Sequence, residues 1–218
     1  MGIREVTLVC GYHSKQIHSA IDSYSGEINV HLTFNPFYSV ADNLISLWAA
    51  RAQMDEDFVL INGDNVFSPD VLPLLAHNRM HCCVMVRQPK HYDDDDMKVC
   101  IRDNQICRIG KKLSAAETSA ESVGVMQFAG PGVHWLRCIL EKCVMAGNVM
   151  RALFPSAIQR IIDQGHHVSY VDIGQCPCAD IDTLEDLRKV RENIDLYARS
   201  EFTMPKNVNN STLYGKPV

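Results

Sequence analysis

Long apolar runs are missing from this chain. Nowhere do its 218 residues hold the roughly 20 consecutive apolar positions that a membrane-spanning helix needs, and Met1 opens no signal-peptide pattern. No membrane association is therefore expected, and a cytoplasmic location is. Blocks of lysine and arginine are also absent and the net charge is −5, which excludes a scaffold that tracks a nucleic-acid backbone. Paired cysteine spacings are absent too. The nine cysteines are an odd, scattered set in a chain with ample core, so they read as reduced thiols. Cys82-Cys83 sits in an apolar run and reads as core. Cys176-Pro-Cys178 lacks both the spacing and the partner pair of a zinc knuckle. His166-His167 follows Gly165 and reads as a solvated turn, and the sequon at Asn209 carries no meaning without secretion.

What is present is a composition of 46% hydrophobic and 22% charged residues, that of a globular domain able to bury one core. Short apolar strands are predicted at Val6–Cys10, Ile28–Thr33, Phe58–Ile61, Cys82–Arg87, Val123–Phe128 and Val168–Ile173. Lys98–Asp103 and Gln105–Ile109 flank Asn104 as a hairpin. Helices are predicted over Ser14–Ile21, from Pro131 to Gly147, and over Ser156–Asp163. Ser39, with Asp42 three residues on, is expected to cap a helix whose apolar face is Leu44, Leu47, Trp48 and Ala52. Ser68-Pro69-Asp70 is expected to start a helix over Val71–Leu75. Thr183, with Asp186 three residues on, caps a last helix reaching Ile194. Strands alternating with helices argue an α/β fold, a three-layer Rossmann-like sandwich with a mixed, mainly parallel sheet. One domain over residues 1–198 and a polar tail over 199–218 are expected.

The stretch FVLINGDNVFSPDVL puts a carboxylate, Asp64, at the mouth of a buried strand. Asp180-Ile-Asp182 stands in a comparable place, after Val168–Ile173 and directly before the Thr183 cap. In open α/β sheets ligands gather beyond the carboxyl ends of strands, so these acids can reach one crevice. There they would hold a hard divalent cation, most naturally Mg²⁺ bridging phosphate oxygens. Two plainer readings compete. Asn62-Gly63 is also a favoured hairpin turn, and Asp180 and Asp182 are ordinary residues ahead of a helix. Asp93–Asp96 reads as a solvated loop.

The ordered set GIREVTLVCGY, FNPFYSVADNLISLWAA, FVLINGDNVF, KVCIRDNQICRIGKKL, ESVGVMQF and DIDTLEDLRKV resembles the nucleotidyltransferases with a glycosyltransferase-A-like (GT-A-like) Rossmann fold. The likeness is strongest to phosphocholine cytidylyltransferases and related phosphonate and sugar-1-phosphate nucleotidyltransferases, and it runs over about Gly2–Asn193. The resemblance implies transfer of a nucleoside monophosphate from an NTP, with CTP favoured, to a small phosphorylated acceptor, releasing pyrophosphate. It implies Mg²⁺ as cofactor, with Asp64 and Asp182 as metal ligands and Asp180 where many members carry Glu. It implies Lys111, or Lys112 in an equally legal alignment, facing the acceptor phosphate, and Asn43 and Ser46 lining the site. A phosphocholine acceptor would want an aromatic cage, for which Trp48, Tyr92, Trp135 and Phe154 are available, although packing is the plainer job for the tryptophans. A homo-oligomer is compatible with the sequence. The different-class alternative is a non-catalytic nucleotide- or metal-binding subunit with a regulatory or assembly role.

The sequence departs from the family at its start. Members open with a strand leading into an Arg-bearing, Gly-rich loop that wraps the triphosphate, and Met1-Gly2-Ile3 begins beyond that segment. A longer natural protein, a degenerate relative, or a strand supplied by another chain would each account for this. The first is favoured because the metal-site acids are retained. Open ladders beside the absent strand are expected.

Overall fold

The alternation of apolar runs and amphipathic segments becomes, in the computed structural model, a layered α/β fold; the structure describes residues 2–147 and 149–199. The elements follow as β1 (Glu5–Cys10), α1 (Ser14–Asp22), β2 (Asn29–Phe34), α2 (Asn43–Ala49), β3 (Phe58–Ile61), β4 (Asn65–Phe67), β5 (Cys82–Arg87), β6 (Lys98–Arg102), β7 (Gln105–Ile109) and β8 (Ala120–Phe128). After them come α3 (Pro131–Met145), α4 (Pro155–Asp163), β9 (Ser169–Asp172), β10 (Cys178–Asp180), α5 (Leu184–Glu192) and α6 (Ile194–Ala198). Among the described residues no helix is long and apolar enough to cross a membrane.

Strand β8 is the axis of the sheet. One of its edges pairs with β5. The other is shared: Val125–Phe128 pair with β3, while Ala120 and Glu121 pair with β6. Hairpin partner β7 lies outside β6, and β9 lies outside β5. Strands β3, β5 and β6 all run against β8, and β9 runs with β5, so four strands point one way. The sheet is mixed, as expected. Because β8 sits between strands that share a direction, parallel ladders among the described residues are confined to β5–β9 and to the separate β1–β2 ribbon. The second edges of β1 and β3 carry no ladder among the described residues, and Leu8, Ile28 and Phe34 stay exposed.

Burial follows strand periodicity. Side chains alternate between faces, and on β5 Cys82, Val84 and Val86 enter one cluster while Cys83 and Met85 enter the other. The first cluster is closed by Leu44 of α2, Leu136, Ile139 and Leu140 of α3, and Ile158 and Ile161 of α4. The second is closed by Val71 and Leu75 against Met85, Val125 and Val171. All nine cysteines are free thiols, and Cys82 and Cys83 are fully buried, as their apolar run implied.

Local chemistry moves several boundaries. Ser39 does not cap α2, because the chain turns over Phe37–Ala41, with Val40 and Ala41 N–H groups on the Phe37 carbonyl. The first helical donors are met instead by tertiary contact: Asp42 and Leu44 donate to the Met150 and Ala152 carbonyls. The helix ends at Ala49, leaving Ala52 in a 3-10 turn. Val71–Leu75 is not an α-helix either. A 3-10 turn, Leu72–His77, takes its place, since Pro73 has no N–H to give to an α-helical ladder. The Ser68 hydroxyl is buried without a partner among the described residues. The last helix breaks at Asn193, whose side chain bonds the Lys189 carbonyl and so competes with the backbone. In the β6–β7 hairpin, Asp103 and Asn104 have φ of 46° and 63°, the paired positive values of a type I′ turn. Apart from Arg199, the tail expected over 199–218 lies outside the described residues.

Three substitutions test this account. The Thr183 hydroxyl accepts from the Asp186 N–H while the Asp186 carboxylate accepts from the Thr183 N–H; Thr183→Ala should lower the unfolding free energy in urea by about 1 kcal/mol. A Cβ on Gly132 would lie 1.9 Å from the His81 carbonyl oxygen, so Gly132→Ala should cost about 1–3 kcal/mol through overpacking. Gly110→Ala, where nothing lies within 4 Å, should leave the unfolding free energy in urea nearly unchanged.

Candidate active site

The site lies where β8 passes from one partner to the next. Ile61, the last residue of β3, faces Val125, and Lys98, the first of β6, faces Glu121. Between these, Ser122, Val123 and Gly124 have no strand on that edge. The margins are closed by the Asn62 N–H on the Gly124 carbonyl at 2.9 Å and the Ser122 N–H on the Met97 carbonyl at 2.8 Å. Gly124 has φ +71°, and the side-chain amides of Asn62 and Asn65 stand 2.7 Å from where a Cβ would be. Only glycine meets both demands. A cleft of about 220 Å³ opens here, lined by Asn43, Asn62, Asp64, Arg87, Lys111, Glu121, Asp180 and Asp182 among others.

The hairpin reading of Asn62-Gly63 does not hold. Strand β4 leaves β3 and pairs with β10 instead, Asn65 opposite Asp180. That short ribbon carries the two acidic segments to one another, and the Ile181 N–H donates to the Asp64 carbonyl at 2.9 Å. Asp64, Asp180 and Asp182 line the same cleft as a result. Burial holds the Asp180 carboxyl above its usual range; the negative charge of Asp64 adds to this, Arg87 opposes it, and Asp182 and Asp96 push the same way.

The other expected residues divide. Lys111 lines the cleft and its Nζ pairs with Asp95 at 3.2 Å; Lys112 does not line it. Asn43 lines the cleft and its Oδ1 accepts the Phe154 N–H at 2.8 Å. Ser46 does not: its hydroxyl accepts from the buried Asn35 side chain at 3.0 Å. Of the aromatic candidates, Phe154 is at the cleft. Trp48 carries the Arg51 guanidinium 3.8 Å from its ring centroid, and Trp135 stacks on His166 at 3.8 Å, so His166 is a packing group and not a free turn residue.

Sequence reading missed the charged lining residues Arg87, Glu121, Asp95 and Asp96. Arg87 carried a signal, a charge closing the buried run CCVMV as Asp64 follows FVLI. Asp95 and Asp96 come from the run read as a solvated loop. Glu121 had no signal, being one acid at the start of an apolar strand. Its side chain is 5% exposed and that of Arg87 41%. Arg87 Nε donates to the Glu121 carboxylate and Nη1 to the Cys178 carbonyl at 3.0 Å. Burial raises the Glu121 carboxyl above its usual range, against the pull of Arg87.

Six carboxylates and two cationic side chains thus line one cleft. Among the described residues no three His, Cys, Asp or Glu side chains form a ready-made cage for an ion. The donor set does fit a hard cation that takes one or two carboxylates and completes its shell with water and phosphate oxygens. Mutual repulsion at Asp180 is what such a cation would relieve.

No family model matches the chain. Solved structures do. The inositol-1-phosphate CTP transferase from T. maritima superposes with a TM-score of 0.69 at 20% identity, over 90% of this chain and 78% of that one. The CTP:phosphocholine cytidylyltransferase from Streptococcus pneumoniae gives 0.68 at 17% identity, over 88% and 79%. Among curated proteins, a CMP-5'-(3-aminopropyl)phosphonate synthase of Streptomyces rubellomurinus is 36% identical over 76 residues, 35% of this chain and 12% of that protein. The chain therefore spans only a small part of that curated relative. The architecture is that of the nucleotidyltransferase Rossmann-like fold, as the sequence motifs implied.

Proposed function

We propose that this chain is a Mg²⁺-dependent nucleotidyltransferase. It moves a nucleoside monophosphate, with CMP favoured, from an NTP to a small phosphorylated acceptor of the phosphocholine, phosphonate or sugar 1-phosphate kind. The observation that carries this is the meeting of Asp64, Asp180 and Asp182 with Lys111 and Arg87 in one cleft beyond the end of β3. Two anionic substrates cannot share a cleft with six carboxylates unless cations intervene, so the electrostatics favour a metal-dependent reading over an apolar-ligand one.

Asp64 and Asp182 would hold the cation, with Asp180 beside them supporting it directly or through water. When bound, Mg²⁺ supplies neutralisation of phosphate charge at the reacting centre. Lys111 draws the acceptor's phosphate by charge, exchanging its exposed Asp95 partner, whose side chain is 99% exposed and so holds it weakly. An acceptor oxygen attacks the α-phosphorus in line, the new P–O bond forms as the α–β bridge breaks, and pyrophosphate leaves with the electron pair. Such displacements need positioning and charge neutralisation more than covalent help from the protein. The names of the CTP transferases and the phosphonate synthase reported above support the donor and acceptor classes.

Pyrophosphate release with a panel of NTPs and phosphorylated acceptors tests the reading. Asp64→Ala and Asp182→Asn should each lower turnover by at least about 100-fold, while the thermal midpoint shifts by no more than a few degrees. Chelation with EDTA should abolish release and added Mg²⁺ restore it. Full turnover by Asp64→Ala would remove the metal assignment.

A further inference from the structure

Among the described residues the cleft has two cationic side chains, and they are held differently. Lys111 sits at the rim with an exposed partner, Asp95. Arg87 ends β5, is braced on two sides, and lines the cleft together with Asp180. Its Nε is committed to Glu121 and its Nη1 to the Cys178 carbonyl. A guanidinium carries five N–H donors in a rigid fork, so three remain beyond those two contacts. The pair is also lopsided. Glu121 is nearly sealed from solvent while two fifths of the Arg87 side chain is open, and Arg87 lines the cleft. A brace between strands would gain nothing from leaving its cation open, whereas a preorganised phosphate fork requires that.

From this geometry we infer that Arg87, oriented by Glu121, contacts the nucleotide's phosphates, while Lys111 serves the acceptor. The assignment rests on the nucleotidyltransferase reading and divides the labour within it. Glu121 is a positioning residue: it fixes the plane of the guanidinium, and Cys178, two residues before Asp180, ties that plane to the acidic ribbon. Because the fork is set before substrate arrives, its remaining donors meet phosphate oxygens without reorganisation.

The test is calorimetric titration of the full chain with CTP and, separately, with phosphocholine, both in Mg²⁺. In the double variant Arg87→Gln/Glu121→Gln a neutral hydrogen-bonded pair replaces the ion pair, so a purely structural role survives. Affinity for CTP should fall at least tenfold and phosphocholine binding stay within twofold; Lys111→Gln should show the reverse pattern. Wild-type CTP affinity in the double variant would overturn the inference while leaving the nucleotidyltransferase reading intact. Failure of the wild-type chain to bind any of the four NTPs would overturn both. If the double variant does not fold, Arg87→Lys serves. It keeps the charge but cannot hold Glu121, Cys178 and a ligand together, so CTP affinity should again fall tenfold, and unchanged affinity would overturn the inference.

Discussion

Carboxylates gathered around one cleft repel, and the backbone must hold them there. At Asp180 the effect is legible: burial, Asp64, Asp182 and Asp96 all push its proton affinity up, and Arg87 alone among the main contributors opposes them. The restraint comes from main-chain hydrogen bonds. Two of the acids ride on the β4–β10 ribbon, which pairs Asn65 with Asp180 and ties Ile181 to the Asp64 carbonyl. A ribbon of three residue pairs is weak alone. It is held to the sheet by Arg87, which reaches both Glu121 and the Cys178 carbonyl. The charge pattern and the brace are therefore one device, in which a cation that offsets the acids also fixes the strand that carries them.

The same economy appears at β8. By changing partners from β3 to β6, this strand leaves Ser122–Gly124 without a strand partner on one edge among the described residues, and the cleft fills that interruption. Gly124 is needed because the Asn62 and Asn65 amides pack where a side chain would project. Catalysis of the proposed kind asks for anions and cations held rigidly before substrate arrives. An interrupted sheet edge, bordered by strand ends, supplies such positions.

Much of the scaffold was readable from residues alone. Phe58–Ile61 and Cys82–Arg87 are strands with the expected limits, and the Thr183 capping box is formed as its spacing implied. Asp64, Asp180, Asp182, Lys111 and Asn43 line one cleft. Ser46 does not, its hydroxyl being engaged by the Asn35 side chain, and α2 itself starts later than a Ser39 cap would set it. Its start is fixed by the Met150 and Ala152 carbonyls, which lie far along the chain and leave no local trace. Arg87 and Glu121 pair across strands for the same reason: nothing in either neighbourhood announces the other.

What the sequence determined by itself was the local and periodic part: which segments are strands or helices, which faces are apolar, and that acids stand at strand ends. Short-range sterics, capping and alternation act over a few residues, so their signals are contiguous. What only the tertiary structure decided was pairing. That β4 seeks β10 and not β3, that β8 divides one edge between two partners, and that an arginine, a glutamate and an acidic loop join the cleft all depend on contacts between distant residues. Those contacts are set by the joint free energy of packing the whole sheet, which no short window of residues contains.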